Sequence, residues 1–277
     1  MNRETNRFGP RLIETKGVVL GLIHLEAPLR PYVRYREIEL CHLGGKAMLK
    51  ALCNLVPCMA FACLVSVVCG QSSKGPTTTL RLDSVNGLEL VDAKAEVVNY
   101  RGRAAVHLVP LPDQRKDYSM LAIVSGTDFK DGTIEIDVAG SPRKDADPSD
   151  RGFIGLAFRS QDRGNRAEYF YLRPTNGRSD DQLRRNHSVQ YVSTPDFPWQ
   201  RLRKESPGVY ESYADLDPGA WTKIKIVVSG TKAQLYVNGA DQPCLIVNDL
   251  KLGETHGQIA LWAFGSTDGY FSNLSVK

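Results

Sequence analysis

The sequence predicts an all-β protein, and three observations support this prediction. Short segments alternate apolar and polar residues with a period of two, as strands of half-buried sheets do. Turn signals such as Gly230-Thr231 and Asn238-Gly239 separate these segments at regular intervals. No segment carries a convincing amphipathic helical pattern. Many short strands joined by turns indicate an all-β sandwich or a barrel.

The predicted strands begin with Val97–Val109, which contains two strands around a turn at Arg101-Gly102, and with the short apolar strand Leu121–Val124. Pro195–Gly208 has no period and is predicted to be a long loop, a kind of segment that is usually functional in a compact domain. The remaining predicted strands are 132–139, 153–159, 167–173, one through Gln190 and Tyr191, 221–229, 232–238, 258–263 and 269–276.

The first 70 residues resemble a leader. Met48-Leu-Lys50 is a second plausible start, an uncharged run follows to Cys69, and Gly70 is a suitable residue for signal cleavage. We therefore predict an over-extended gene start (1–47), a signal peptide (48–70), a linker (71–79) and one domain (80–277). The domain is expected to be secreted or periplasmic and to have no membrane association after cleavage. A retained anchor is the alternative, because the apolar run is about long enough to span a bilayer.

Charge and cysteine content agree with this division. Residues 71–277 hold 26 basic and 26 acidic residues, so the net charge of +4 belongs to the leader and gives no argument for nucleic-acid binding. Residues 151–204 nevertheless hold eleven Lys/Arg against five Asp/Glu, a local excess that attracts anions. Only Cys244 follows residue 71, so the predicted domain contains no internal disulfide.

The best functional signal is the stretch from Arg151 to Trp199. Successive side chains of a strand point to opposite faces, so an aliphatic face is predicted opposite a face that carries Arg159, Tyr169, Tyr171 and Arg173. Tyrosine and arginine make stacking and forked hydrogen-bond contacts with ligands. This face is predicted to be a binding surface.

Further candidates follow the second strand. The loop Thr175–His187 contains Arg184 and His187, and it is either part of the site or an internal salt-bridge network. Gln190 and Tyr191 lie on opposite faces of the next strand, so one of them is expected to meet the site. Trp199 is either a sugar-stacking residue at the rim or a loop anchor.

The last third of the chain resembles a known superfamily. Asp217-Pro-Gly-Ala-Trp221, LYVNG (235–239), GQIALW (257–262) and YFSNLSV (270–276), with DFKDGTIEIDV (128–138), are similar to segments of concanavalin A-like lectin/glucanase jelly rolls. Within the superfamily the layout is similar to bacterial 3-keto-disaccharide hydrolase-like and laminin G-like domains. The resemblance covers about residues 80–277 and implies a two-sheet antiparallel jelly roll with a glycan-binding concave sheet.

Catalytic and metal signals are weak. Glucanases of the superfamily are expected to carry an ExDxxE-like carboxylate triplet; Glu135-Ile-Asp137 lacks the second glutamate. Glu168 and His187 are weak catalytic candidates, and Glu168 is alternatively paired with an arginine. The aspartates of the 142–150 loop form no recognised calcium loop, and no metal or cofactor is predicted.

Three hypotheses follow. The first is a secreted glycan-binding domain for acidic or modified sugars, with a carbohydrate as its partner. Its predicted ligand contacts are Arg159, Tyr169, Tyr171, Arg173, Arg184, His187, Gln190 and Trp199. The second is a hydrolase or lyase acting on a (3-keto) disaccharide at the same surface, and the third is a laminin G-like protein-interaction module. The sequence does not indicate an oligomeric state.

Overall fold

The computed structural model describes residues 77–112 and 118–277. The predicted gene start, the signal peptide and the first part of the linker lie outside the described residues. Thr78 and Thr79, which were predicted to belong to the linker, form part of a strand that pairs with the C-terminal strand. Among the described residues, no helix is long and apolar enough to cross a membrane.

Within residues 77–112 and 118–277, fifteen strands form two antiparallel sheets, and eleven of these strands correspond to ones that the sequence patterns predicted. Their bounds are β1 Thr78–Leu80, β2 Leu88–Val91, β3 Ala93–Tyr100, β4 Arg103–Pro110, β5 Ser119–Val124, β6 Gly132–Pro142, β7 Ile154–Gln161, β8 Arg166–Leu172, β9 Val189–Thr194, β10 Glu211–Ser212, β11 Thr222–Ser229, β12 Lys232–Val237, β13 Leu245–Val247, β14 Gln258–Phe264 and β15 Thr267–Val276.

The strand order confirms the two-sheet jelly-roll sandwich that the concanavalin A-like resemblance implied. One sheet, sheet A, has the order β13-β12-β11-β6-β15-β4-β3, with β1 also paired to β15. The other, sheet B, has the order β10-β9-β8-β7-β14-β5-β2. Neighbouring strands in both sheets are often distant in sequence, so each sheet is assembled by crossovers between the layers.

The main core lies between the two sheets. It takes alternate residues of each strand, for example Ile154, Leu156 and Phe158 of β7 and Ile134, Ile136 and Val138 of β6. Burying such side chains stabilises the sandwich by roughly 25 cal/mol for each Å² of apolar surface removed from water. The aliphatic face predicted for β7 is therefore the face that joins the sheets.

Two short α-helices interrupt the β structure in the part of the chain that the structure describes. α1 is Gln182–Asn186, and the side chain of Asp181 caps it by accepting a hydrogen bond from the Arg184 amide. α2 is Trp199–Glu205, within the segment that was predicted to be a loop. The loop prediction was wrong here because a seven-residue helix that buries one residue, Leu202, is too short to produce an amphipathic period.

Candidate functional site

A second cluster of side chains covers the outer face of sheet B, away from the main core. On β8 its members are Tyr169 and Tyr171, which alternate with the core residues Phe170 and Leu172. The other members come from β5, β7, β8 and β14: Leu121, Ile123, Ala157, Ala167, Ala260 and Trp262. The sequence prediction that Tyr169 and Tyr171 share a face is confirmed.

A glycine at the centre of this face brings two large rings together. Gly155 of β7 lies between Trp262 of β14 and Tyr171 of β8 in the strand register. A β-carbon at residue 155 would lie 2.1 Å from the carbonyl oxygen of Phe170, so no larger residue fits without a shift. Over this position the rings of Tyr171 and Trp262 lie with centroids 5.0 Å apart.

Beside these rings lies an apolar depression of about 200 Å³, which we call the aromatic groove. Its floor is provided by sheet B and one wall by the start of α2. Five of its eight lining residues are aromatic, which gives it the amphipathic, ring-shaped surface suited to flat ligands. The lining residues are Phe153, Tyr171, Val192, Thr194, Pro198, Trp199, Trp262 and Phe264.

A larger depression of about 420 Å³ adjoins the aromatic groove and shares Phe153 and Trp199 with it. We call it the basic pocket, because four arginines and one histidine line it against a single acid, Asp181. Such an excess of positive charge in a concave site attracts anions. The lining residues are Ser149, Arg151, Phe153, Arg173, Asn176, Asp181, Leu183, Arg184, His187, Trp199 and Arg203.

Arg173 forms the floor of the basic pocket and is held by neighbouring groups. One terminal nitrogen, Nη2, donates to the Tyr171 hydroxyl (3.0 Å) and to Gln190 Oε1 (3.1 Å), and Nη1 donates to the carbonyl oxygen of His187 (3.1 Å). The side chain amide of Gln190 in turn donates to two carbonyl oxygens, those of Tyr191 and Tyr210. Because burial removes water from the guanidinium, it lowers the pKa of Arg173.

The wall between α1 and α2 carries a charged network centred on Glu211. Arg203 donates to both carboxylate oxygens of Glu211, and His187 Nδ1 lies 2.7 Å from Oε2. Burial lowers the pKa of His187, and the contact with Glu211 opposes this effect without cancelling it. His187 therefore lies on the wall of the basic pocket with a pKa below its ordinary value.

Arg159 does not lie on the outer face that carries Tyr169 and Tyr171, so its predicted placement there was wrong. The ladder from β7 to β8 shifts register between Phe158 and Gln161, so β7 carries an extra residue, and Arg159 has a φ of 50°. This bulge turns the side chain away from the outer face. The guanidinium is 0% exposed and donates to the carbonyl oxygens of Lys130, Gly230 and Gly253 and to Asp131.

Glu168 lies on the core side of β8, as its position in the alternation predicted. Its partners differ from the arginine that was expected: the Tyr191 hydroxyl donates to Oε2 (2.6 Å) and the Leu252 amide donates to Oε1 (2.8 Å). Burial raises the pKa of Glu168, and these hydrogen bonds oppose that rise. The structure places Glu168 in the inter-sheet core and not on the wall of the aromatic groove or of the basic pocket.

The structure brings most of the predicted contacts together at one place. Tyr171, Arg173, Arg184, His187 and Trp199 line the groove or the pocket, and Gln190 supports Arg173 from behind. Tyr169 lies deeper in the same face and donates from its hydroxyl to the Gly164 carbonyl oxygen. Trp199 lies at the rim, half-exposed, with the Arg203 guanidinium 4.7 Å from its ring centroid.

Several lining residues were missed by the sequence prediction. Phe153 shares the parity of Gly155 and was available from the alternation of β7, and Trp262 was noticed only as part of a fold motif. Arg203 and Trp199 are four residues apart, a spacing that brings two side chains together on a helix. The pair was missed because the segment was predicted to be a loop. No sequence pattern indicated Glu211, because its role depends on its contacts with Arg203 and His187.

No group of three His, Cys, Asp or Glu side chains within residues 77–112 and 118–277 is arranged to hold a metal ion. The aspartates of the 142–150 loop interact locally; the Asp147 amide donates to Asp150 and the Arg143 guanidinium donates to Asp145.

Comparison with known proteins finds similarity at the level of solved structures. No family model matches the sequence, and no curated protein matches it. Carbohydrate-binding module CBM66 from Bacillus subtilis is 15% identical, with a TM-score of 0.46, and the match covers 69% of this chain and 96% of that one.

The carbohydrate recognition domain of Emp47p is 10% identical (TM-score 0.45, covering 72% and 93% of the two chains). The β-glucanase of Bacillus licheniformis is 12% identical (TM-score 0.45, covering 74% and 99%). At these identities and TM-scores the similarity does not extend to activity or to site residues.

Proposed function

We propose that this chain is a glycan-binding protein that recognises an acidic sugar in the basic pocket and stacks a sugar ring in the aromatic groove. The observation that carries the proposal is the adjacency of the two depressions, which share Phe153 and Trp199 as a common wall. A sugar ring has an apolar C–H face and a polar edge. A site that binds it needs an aromatic surface next to hydrogen-bonding groups, and this surface provides both.

The positive charge of the pocket favours a carboxylate or sulfate on the ligand. Arg151 and Arg184 line it and are half-buried. Some of their donors are engaged, because Arg151 Nη1 donates to the carbonyl oxygens of Pro148 and Asp150, and Arg184 donates from Nε to Asn176 and from Nη2 to Thr175. A guanidinium grips a carboxylate through two parallel hydrogen bonds. Arg173 contributes its charge from the floor, although its donors are already engaged with Tyr171, Gln190 and the His187 carbonyl oxygen.

The proposal is tested by calorimetric titration of the full-length chain with methyl glucuronide and with methyl glucoside. We expect the uronate to bind at least tenfold more tightly, and to bind less tightly in high salt, because the pocket is open to screening ions. Arg184→Gln and Arg151→Gln should each weaken uronate binding about tenfold or more, since a charge-assisted hydrogen bond contributes about 1.5–3 kcal/mol.

Arg166→Gln is the matched control. Arg166 is exposed at the start of β8, about 23 Å along the strand from Arg173 at 3.3 Å for each residue, so its loss should leave uronate affinity unchanged. Equal affinity for uronate and glucoside, or an equal loss in all three arginine variants, would contradict an acidic-sugar site. Binding to neither sugar would favour the protein-interaction alternative.

A second candidate function is an enzyme, a hydrolase or lyase acting on acidic glycans at the same surface. The observation that favours it is the position of the His187 imidazole, whose Nδ1 lies 2.7 Å from Glu211 on the wall of a cationic pocket. A histidine oriented by a carboxylate is a general base when it is uncharged. Product formation that falls as His187 is protonated, and that is lost in His187→Gln with uronate binding retained, would support this function; mass spectra without new products would refute it.

A further inference from the structure

A third depression, of about 690 Å³, lies on the far side of the basic pocket, and we call it the helix cleft. It opens where α1 and α2 end, and β10 with the residues that follow it forms its base. It shares Leu183, His187 and Arg203 with the basic pocket, but it shares no lining residue with the aromatic groove. The basic pocket therefore lies between the aromatic groove and the helix cleft and adjoins both.

The chemistry of the lining changes from one depression to the next. The aromatic groove is apolar, and the basic pocket is cationic. In the helix cleft the remaining walls are neutral, with Tyr213, Ser212, Asn186 and Pro207. The one acid there, Glu211, is already paired with Arg203 and His187, so the cleft offers little net charge to an anion.

Exposed apolar residues mark both sides of the basic pocket. Leu183 is 65% exposed and stands between the basic pocket and the helix cleft, while Trp199 and Tyr213 are each 39% exposed, one at the wall of the groove and the other in the cleft. Large apolar side chains are normally exposed singly, and their concentration around concave surfaces marks binding sites.

We propose that the three depressions form one trough that binds an internal segment of an acidic oligosaccharide: a neutral sugar in the aromatic groove, the acidic sugar in the basic pocket, and a second neutral sugar in the helix cleft. This inference rests on the proposed function. It adds that the ligand has at least three units and that the acidic unit is flanked on both sides. The basic pocket adjoins a further depression on each of two sides, whereas a pocket for a chain end would adjoin one on a single side.

The test compares ligand lengths on the full-length chain. The probes are methyl glucuronide, a hyaluronan-type trisaccharide with glucuronate between two N-acetylglucosamine units, and the disaccharide that lacks one of the neutral units. We expect the trisaccharide to bind at least tenfold more tightly than methyl glucuronide, with the disaccharide between them.

Tyr213→Ala separates the cleft from the pocket. It should weaken trisaccharide binding at least fivefold and leave the affinity for methyl glucuronide unchanged. Ile246→Ala, an exposed residue of β13 at the edge of sheet A, is the control and should change neither affinity. Thermal unfolding of each variant shows whether the fold is retained.

The outcomes are distinguishable. Binding of methyl glucuronide without any gain from added units overturns the trough and leaves the proposed function in place. Equal losses for both ligands in Tyr213→Ala also overturn it, because the cleft would then not be a separate subsite. Failure of methyl glucuronide and of the trisaccharide to bind overturns the proposed function and the inference together.

Discussion

Replacing Arg159 by methionine should destabilise the fold strongly. Its buried guanidinium makes four hydrogen bonds, at 2.7 to 3.1 Å, and these tie the bulge in β7 to the loops at Lys130, Gly230 and Gly253. In Arg159→Met the methionine side chain fills part of the space, but three carbonyl oxygens and the Asp131 carboxylate lose these donors. An acceptor left without its donor costs about 1–3 kcal/mol, and because these acceptors are only partly buried we expect a total of about 3–5 kcal/mol.

That cost corresponds to a fall in the melting temperature of roughly 6–20 °C, since 1 kcal/mol shifts the midpoint by about 2–4 °C in a domain of this size. Thermal unfolding can be followed by tryptophan fluorescence, because all three tryptophans, Trp199, Trp221 and Trp262, lie in the described domain. Arg159→Lys keeps the charge but cannot span the four acceptors, so an intermediate loss is expected.

The same variants test whether Arg159 contacts ligand. Arg159→Lys should retain the uronate affinity of the parent chain, because Arg159 lies outside the basic pocket. A loss of stability below about 1 kcal/mol in Arg159→Met would refute the anchoring role. Weaker uronate binding by an Arg159→Lys protein of unchanged stability would restore the ligand-contact role that the sequence predicted.

Two further predictions concern buried and half-buried ionisable groups. Burial lowers the pKa of His107, but the carboxylates of Asp268 and Glu96 outweigh it and raise the pKa above 6.5. This contribution to stability is full below pH 6.5 and is lost as the pH rises through the folded-state pKa. His107→Gln should therefore lower the free energy of unfolding more at pH 5.5 than at pH 8.5, by at most about 1 kcal/mol, and an equal loss at both pH values would contradict this assignment. Tyr191→Phe removes the hydroxyl that donates to Glu168 and accepts from the Lys251 amide, and urea unfolding should show a loss of about 1–3 kcal/mol. Tyr236→Phe is the control, because the half-buried Tyr236 hydroxyl donates to Gln234, and it should lose less stability. Equal losses in the two variants would contradict a larger contribution from the buried Tyr191–Glu168 hydrogen bond.

Local sequence patterns predicted the strands and the faces of their side chains well. The period of two along β7 and β8 assigned Ile154, Leu156 and Phe158 to the core and Tyr169 and Tyr171 to the outer face, and the structure agrees. The same alternation left one of Gln190 and Tyr191 to meet the site; Gln190 contacts Arg173 from behind, and neither residue lines the groove or the pocket. These predictions succeed because side-chain direction in a strand depends only on neighbouring residues in the chain.

The candidate site itself depends on contacts between distant segments. Trp262 meets Tyr171 across Gly155 because β14, β7 and β8 are neighbours in sheet B, and Arg203 of α2 meets Glu211 and His187 because both helices pack at the end of that sheet. Arg159 leaves its predicted face because one extra residue reverses the direction of a side chain, and an alternating pattern continues unchanged through such a bulge. The residues alone specified an all-β fold and the kinds of side chain that face outward. The packing of the two sheets decided which of these side chains lie together around a pocket and which are enclosed as structural anchors.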